Sequence, residues 1–85
     1  MSTPIRSLKN IGPSSAAWLE ECGINSVEEL RHIGPAVAFK IVLGRDKSVS
    51  KNLLYALASG LEDRDWRDLT PAEKRDLQAQ VEALT

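Results

Sequence analysis

The sequence predicts an all-α fold, a compact bundle of about five to six short helices forming a single domain over residues 1–85. Three observations predict it. Each of the four prolines follows a Thr or Gly, at Thr3-Pro4, Gly12-Pro13, Gly34-Pro35 and Thr70-Pro71, the pairing that opens a helix. Apolar residues recur at spacings of three and four, as in Leu53, Leu54, Leu57, Ala58 and Leu61. No stretch sustains the alternation of a half-buried strand, and the β-branched pair Ile41-Val42 falls inside a helical pattern.

Taken in order, Pro4 opens a short helix to about Lys9, and Pro13 opens a second to about Cys22. Gly23 closes the second in a left-handed conformation, with Ile24 folding back onto it. Ser26-Val27-Glu28-Glu29 has the form of a capping box and starts a helix to about His32. Pro35 starts another, to Leu43, stopped by Gly44; it is apolar on nearly every face but that of Lys40, which puts it at the centre of the domain. Residues 45–48 form a solvated loop whose Ser48 caps a helix from Val49 to Leu61. A charged connection, Glu62-Asp63-Arg64-Asp65, leads through Trp66 and Leu69 to Thr70-Pro71-Ala72-Glu73. That segment joins a capping box to a first-turn proline and opens a last helix to about Leu84, with the stripe Leu77, Val81 and Leu84.

The 42% hydrophobic content excludes intrinsic disorder. A single cysteine, Cys22, rules out an intrachain disulfide and points to a reducing compartment, so the expected location is cytoplasmic. No apolar run approaches the ~18 residues of a membrane span. Met1-Ser2-Thr3-Pro4 lacks the layout of a signal peptide, and no membrane partner is expected. The net charge of −1 draws the chain to nucleic acid only weakly. Residues 1–52 carry a net +2 and the remainder −3, so an anionic partner would meet the N-terminal part.

An internal repeat stands out. Leu8-Lys9-Asn10-Ile11-Gly12-Pro13-Ser14-Ser15-Ala16 aligns with Leu30-Arg31-His32-Ile33-Gly34-Pro35-Ala36-Val37-Ala38, matching Leu, Ile, Gly, Pro and Ala. Each copy reads as a hairpin in which Ile tucks inward, Gly turns the chain, Pro launches a helix and Ala permits close helix approach. Exposed amides at such a helix start, with the helix dipole, suit phosphate. The stretch Leu8–Leu30 resembles helix-hairpin-helix domains, which hold DNA backbones in this way. The resemblance implies a helix-hairpin-helix or SAM-like architecture and a nucleic-acid contact at Arg6, Lys9, Asn10, Ile11, Gly12, Ser14, Ser15 and Arg31. Asn10 stands where that family has the first glycine of its Gly-x-Gly, and Ser14-Ser15 where DNA-binding members place Lys or Arg. The second copy has Ala36-Val37 there and reads as architecture.

Separated blocks over almost the whole chain are similar to the C-terminal domain of the TfoX/Sxy family. They are Pro4-Ile5-Arg6-Ser7-Leu8-Lys9-Asn10-Ile11-Gly12-Pro13, Ser15-Ala16-Ala17-Trp18-Leu19, Asn52-Leu53-Leu54-Tyr55-Ala56-Leu57 and Trp66-Arg67-Asp68-Leu69. That similarity implies a non-enzymatic domain of regulators of DNA-transformation competence. In full-length members it follows an N-terminal α/β domain that this chain does not contain.

Nothing else in the sequence carries catalysis. His32 is the only histidine and cannot build a metal site, Cys22 reads as a small buried hydrophobe, and there is no Gly-rich phosphate loop. No catalytic residue, metal, cofactor or small-molecule substrate is expected. Trp18 reads as a core anchor, whereas Trp66, in a charged linker, pairs with Leu69 as a protein-contact patch. Two functions follow: a weak, sequence-independent contact with the DNA backbone, or a protein-interaction module, engaging a partner or a second copy, that keeps the hairpin only as scaffold.

Overall fold

A computed structural model describes residues 3–84. The reading of Met1-Ser2 as lacking a leader lies outside the described residues. Five α-helices follow one another: α1 (Pro13–Glu21), α2 (Val27–Ile33), α3 (Pro35–Arg45), α4 (Lys51–Leu61) and α5 (Pro71–Ala83). Single 3-10 turns at Ile5–Ser7 and Trp66–Asp68 precede α1 and α5. The expected all-α bundle is what forms, with α3 packed against α1, α2, α4 and α5.

Local chemistry sets most of the boundaries. Proline occupies the first turn of α1, α3 and α5. Thr70 accepts a hydrogen bond from the Glu73 amide at 3.2 Å, while the Glu73 carboxylate accepts from the Thr70 amide at 3.0 Å, completing the expected capping box. At the end of α1, Gly23 has φ +86, the Ile24 amide donates to Leu19 O at 2.9 Å, and Ile24 is buried. This is the six-to-one closure that a left-handed residue allows.

Three expected boundaries shift, and one expected capping box is incomplete. The helix expected from Pro4 to Lys9 is only the turn Ile5–Ser7. The chain before it is held extended, because the Ile5 amide donates to Asn25 O and the Val27 amide to Thr3 O, forming an antiparallel bridge between Pro4 and Ser26. The capping box of α2 is half made: Ser26 Oγ accepts from the Glu29 amide, but the Glu29 carboxylate bonds the Ser26 hydroxyl instead of its backbone. Gly44 does not end α3, which continues to Arg45; its φ is not positive there, so nothing turns the chain. Ser48 bonds the Asp46 carboxylate through its own amide and hydroxyl, leaving Ser50 as the N-cap of an α4 that starts at Lys51.

The core lies between the N-terminal turn and α1 through α5, built on Ile5, Leu19, Leu30, Val42, Leu54 and Leu57. Ala16 and Ala38 are fully buried, as the hairpin motif requires. Leu77 is buried and Val81 half-buried, but the stripe on α5 stops there: Leu84 is 46% exposed. Trp18 and Cys22, both expected in the core, are half-buried at its edge.

Candidate functional site

The two hairpin copies share letters but not geometry. In the first, the Ile11 amide donates to Leu8 O at 3.2 Å, and the left-handed residue of this turn is Asn10, at φ +74. Positive φ at the third position of a turn favours Gly or Asn, which explains an asparagine where the helix-hairpin-helix pattern has glycine. Its side chain is bonded within the fold: Asn10 Nδ2 donates to Ser59 Oγ at 3.0 Å and to Arg64 O at 2.8 Å. Gly12 has an ordinary φ of −87°. In the second copy the positive φ falls on Gly34, at +87°, the single residue joining α2 to α3.

The cations expected around the first hairpin are only partly available. Arg6 is held by Glu20 in a two-point ion pair, Nη2 to Oε1 at 2.8 Å and Nε to Oε2 at 3.0 Å. Arg31 is exposed in the last turn of α2, on a different element. Lys9 is exposed at the hairpin, and its charge adds to the lowering of the pKa of the neighbouring Asp65, which lies at about 2 chiefly because the Arg67 side chain bonds it. What remains open is backbone. Gly12 caps α1 with no side-chain bond, the amides of Gly12, Ser14 and Ser15 donate to no described residue, and a Cβ at Gly12 would meet nothing within 4 Å. Ile11 is half-buried against the core.

Asn10 and Ser15 also line a groove of about 370 Å³ with Trp18, Trp66, Ser50 and Asn52 at the start of α4. Trp66 is 37% exposed. Leu69 is not its surface partner: at 6% exposure it belongs to the core, because the turn Trp66–Asp68 rotates it inward. The proposed Trp66–Leu69 patch is therefore not a surface.

A different apolar surface exists. Val37, Ile41, Leu43 and Leu84 line an open groove of about 660 Å³ between α3 and the end of α5, with Gly44 in its wall and Lys40 and Lys47 at its rim. Ile41 is 40% exposed. The signal in the sequence was the all-round apolar pattern of α3. It reads as complete burial, yet the packing of α5 leaves part of α3 open at Ile41. Among the described residues, no three His, Cys, Asp or Glu are grouped to hold a metal, and no helix is long and apolar enough to cross a membrane.

This arrangement, a helical bundle with open grooves on its surface, defines a small all-α domain. The model of the TfoX C-terminal domain matches residues 1–81, and the chain belongs to that family. Two crystal structures from Listeria monocytogenes share the fold. One, of an uncharacterized protein in a triclinic form, is 30% identical with a TM-score of 0.85, covering 96% of this chain and 93% of that one. The other, of a protein of unknown function in a tetragonal form, is 31% identical with a TM-score of 0.84, covering 95% and 100%. No curated protein matches the chain.

Proposed function

We propose that this chain is a non-enzymatic docking domain that binds a protein partner in the α3–α5 groove, serving the regulatory role that family membership implies. The observation that carries the reading is the exposure of Ile41 and Leu84 on the same groove. Large apolar side chains gathered on one surface, rimmed by charge, mark protein contacts more often than isolated exposed ones do. Ile41→Glu places a charge in the groove lining, outside the core cluster. It is expected to abolish recovery of a defined partner from cells of the source organism, with circular dichroism unchanged. Recovery of the same partner by both forms would sink the reading.

A second reading, phosphate contact at the first hairpin, is favoured by Gly12. Neither a positive φ nor a crowded Cα requires glycine there, so its bare backbone is open to close approach by an anion. With Lys9 nearby, which forms no ion pair within 4 Å among the described residues, the contact is weak, sequence-independent and steeply salt-sensitive. Amide resonances of residues 9–15 are expected to shift when duplex DNA is added at low salt and to return as salt is raised. Unmoved resonances at high DNA concentration would eliminate this contact and leave the docking reading intact.

A further inference from the structure

We infer that the occupant of the α3–α5 groove is an amphipathic helix of a partner protein, carrying acidic residues beside its apolar stripe and seated over Gly44; this rests on the docking reading above. The charge of the occupant follows from the rim. Lys40 and Lys47 flank the apolar floor, no carboxylate lines the groove, and neither lysine has an ion-pair partner among the described residues. Opposite charge on the partner would satisfy both. The same rim argues against a second copy of this chain. A two-fold contact sets one patch against itself, bringing lysines to lysines with no acid between them.

The helical form follows from the walls. They are α3, the connection after it at Lys47 and the residue that follows α5, with no strand among the described residues, so the groove offers no strand edge to an extended peptide. It is also too open to enclose most of a small molecule. Gly44 supplies an independent indication. It sits within α3, where glycine weakens a helix, yet its φ is not positive and a Cβ there would meet nothing within 4 Å. No internal contact calls for it. A bare Cα in the groove wall lets a second helix approach closely, as interaxial distance depends on the side chains at the contact.

The test is a display library of helical peptides, selected on the intact chain with counter-selection on Ile41→Glu. Selected peptides are expected to carry Asp or Glu next to apolar residues at helical spacing. Lys40→Glu with Lys47→Glu should weaken them roughly tenfold or more, since two attractive pairs become repulsive. Gly44→Gln should weaken them comparably while leaving the thermal midpoint of the free domain unchanged or raised. Peptides that need Ile41 but show no acidic bias and ignore the lysine reversals would overturn this inference and spare the docking reading. Peptides indifferent to Ile41→Glu, or none at all, would overturn both. A concentration-dependent dimer in sedimentation that Ile41→Glu abolishes would make the occupant a second copy and overturn the inference alone.

Discussion

Asn10 shows how a residue that resembles a ligand contact can be a structural tie. Its backbone takes the left-handed conformation of the turn, and its side chain joins the hairpin to α4 through Ser59 and to the α4–α5 connection through Arg64. Ser59 is fully buried and passes the link on by donating to Tyr55 O at 2.6 Å. Asn10→Ala removes both bonds and leaves a Cβ residue at positive φ, so it should destabilise the domain by about 3 kcal/mol. Asn10→Gly keeps the backbone conformation and should cost about 1 kcal/mol less. Urea denaturation of the two variants measures the difference, and equal losses would show that the backbone conformation contributes nothing. The turn residue was legible as a departure from a pattern. Its bonding was not, because Ser59 and Arg64 lie about fifty residues away in sequence.

At the scale of elements, the α4–α5 connection is organised by one side chain. Arg64 reaches both carboxylate oxygens of Glu73, at 2.8 and 3.2 Å, and donates to Asp68 O at 3.1 Å, so the turn Trp66–Asp68 is clamped to the first turn of α5. The Arg64 side chain, and next the Thr70 amide, hold the Glu73 carboxyl at about 2, below its ordinary 4.5. A folded-state value below the unfolded one stabilises above about pH 4.5, and this contribution is lost as pH falls towards 2. Arg64→Gln should therefore lower stability at neutral pH, with the gap to the native sequence narrowing through that window. Denaturation across pH 7 to 2 reads this directly, and a gap independent of pH would refute it. Caps and prolines made α5 legible from Thr70 to its end. The clamp was hidden in a run that reads as solvated charge, since only folding brings Arg64 against Glu73.

For the molecule as a whole, the radius of gyration is 11.7 Å, matching about 12 Å for a folded domain of this length. Its economy is visible at Gly44. If that glycine serves docking and not the fold, Gly44→Ala should raise the stability of the free domain by about 0.5 kcal/mol, the helix-propensity gain near a helix end. A loss of stability in thermal or urea denaturation would assign Gly44 to the fold instead. The sequence by itself determined the fold class, the helix starts at Pro13, Pro35 and Pro71, the α1 closure at Gly23 and the capping box at Thr70. Each depends on neighbours within a few residues, where steric and hydrogen-bonding preferences are strong enough to decide. Only the tertiary structure decided which copy of the hairpin carries its positive φ on Asn10 and which on glycine, that Arg6 is spent on Glu20, and that Leu69 is core. It also decided that Ile41 and Leu84 share an exposed apolar groove, because burial depends on how one helix lies across another, and no local pattern records that.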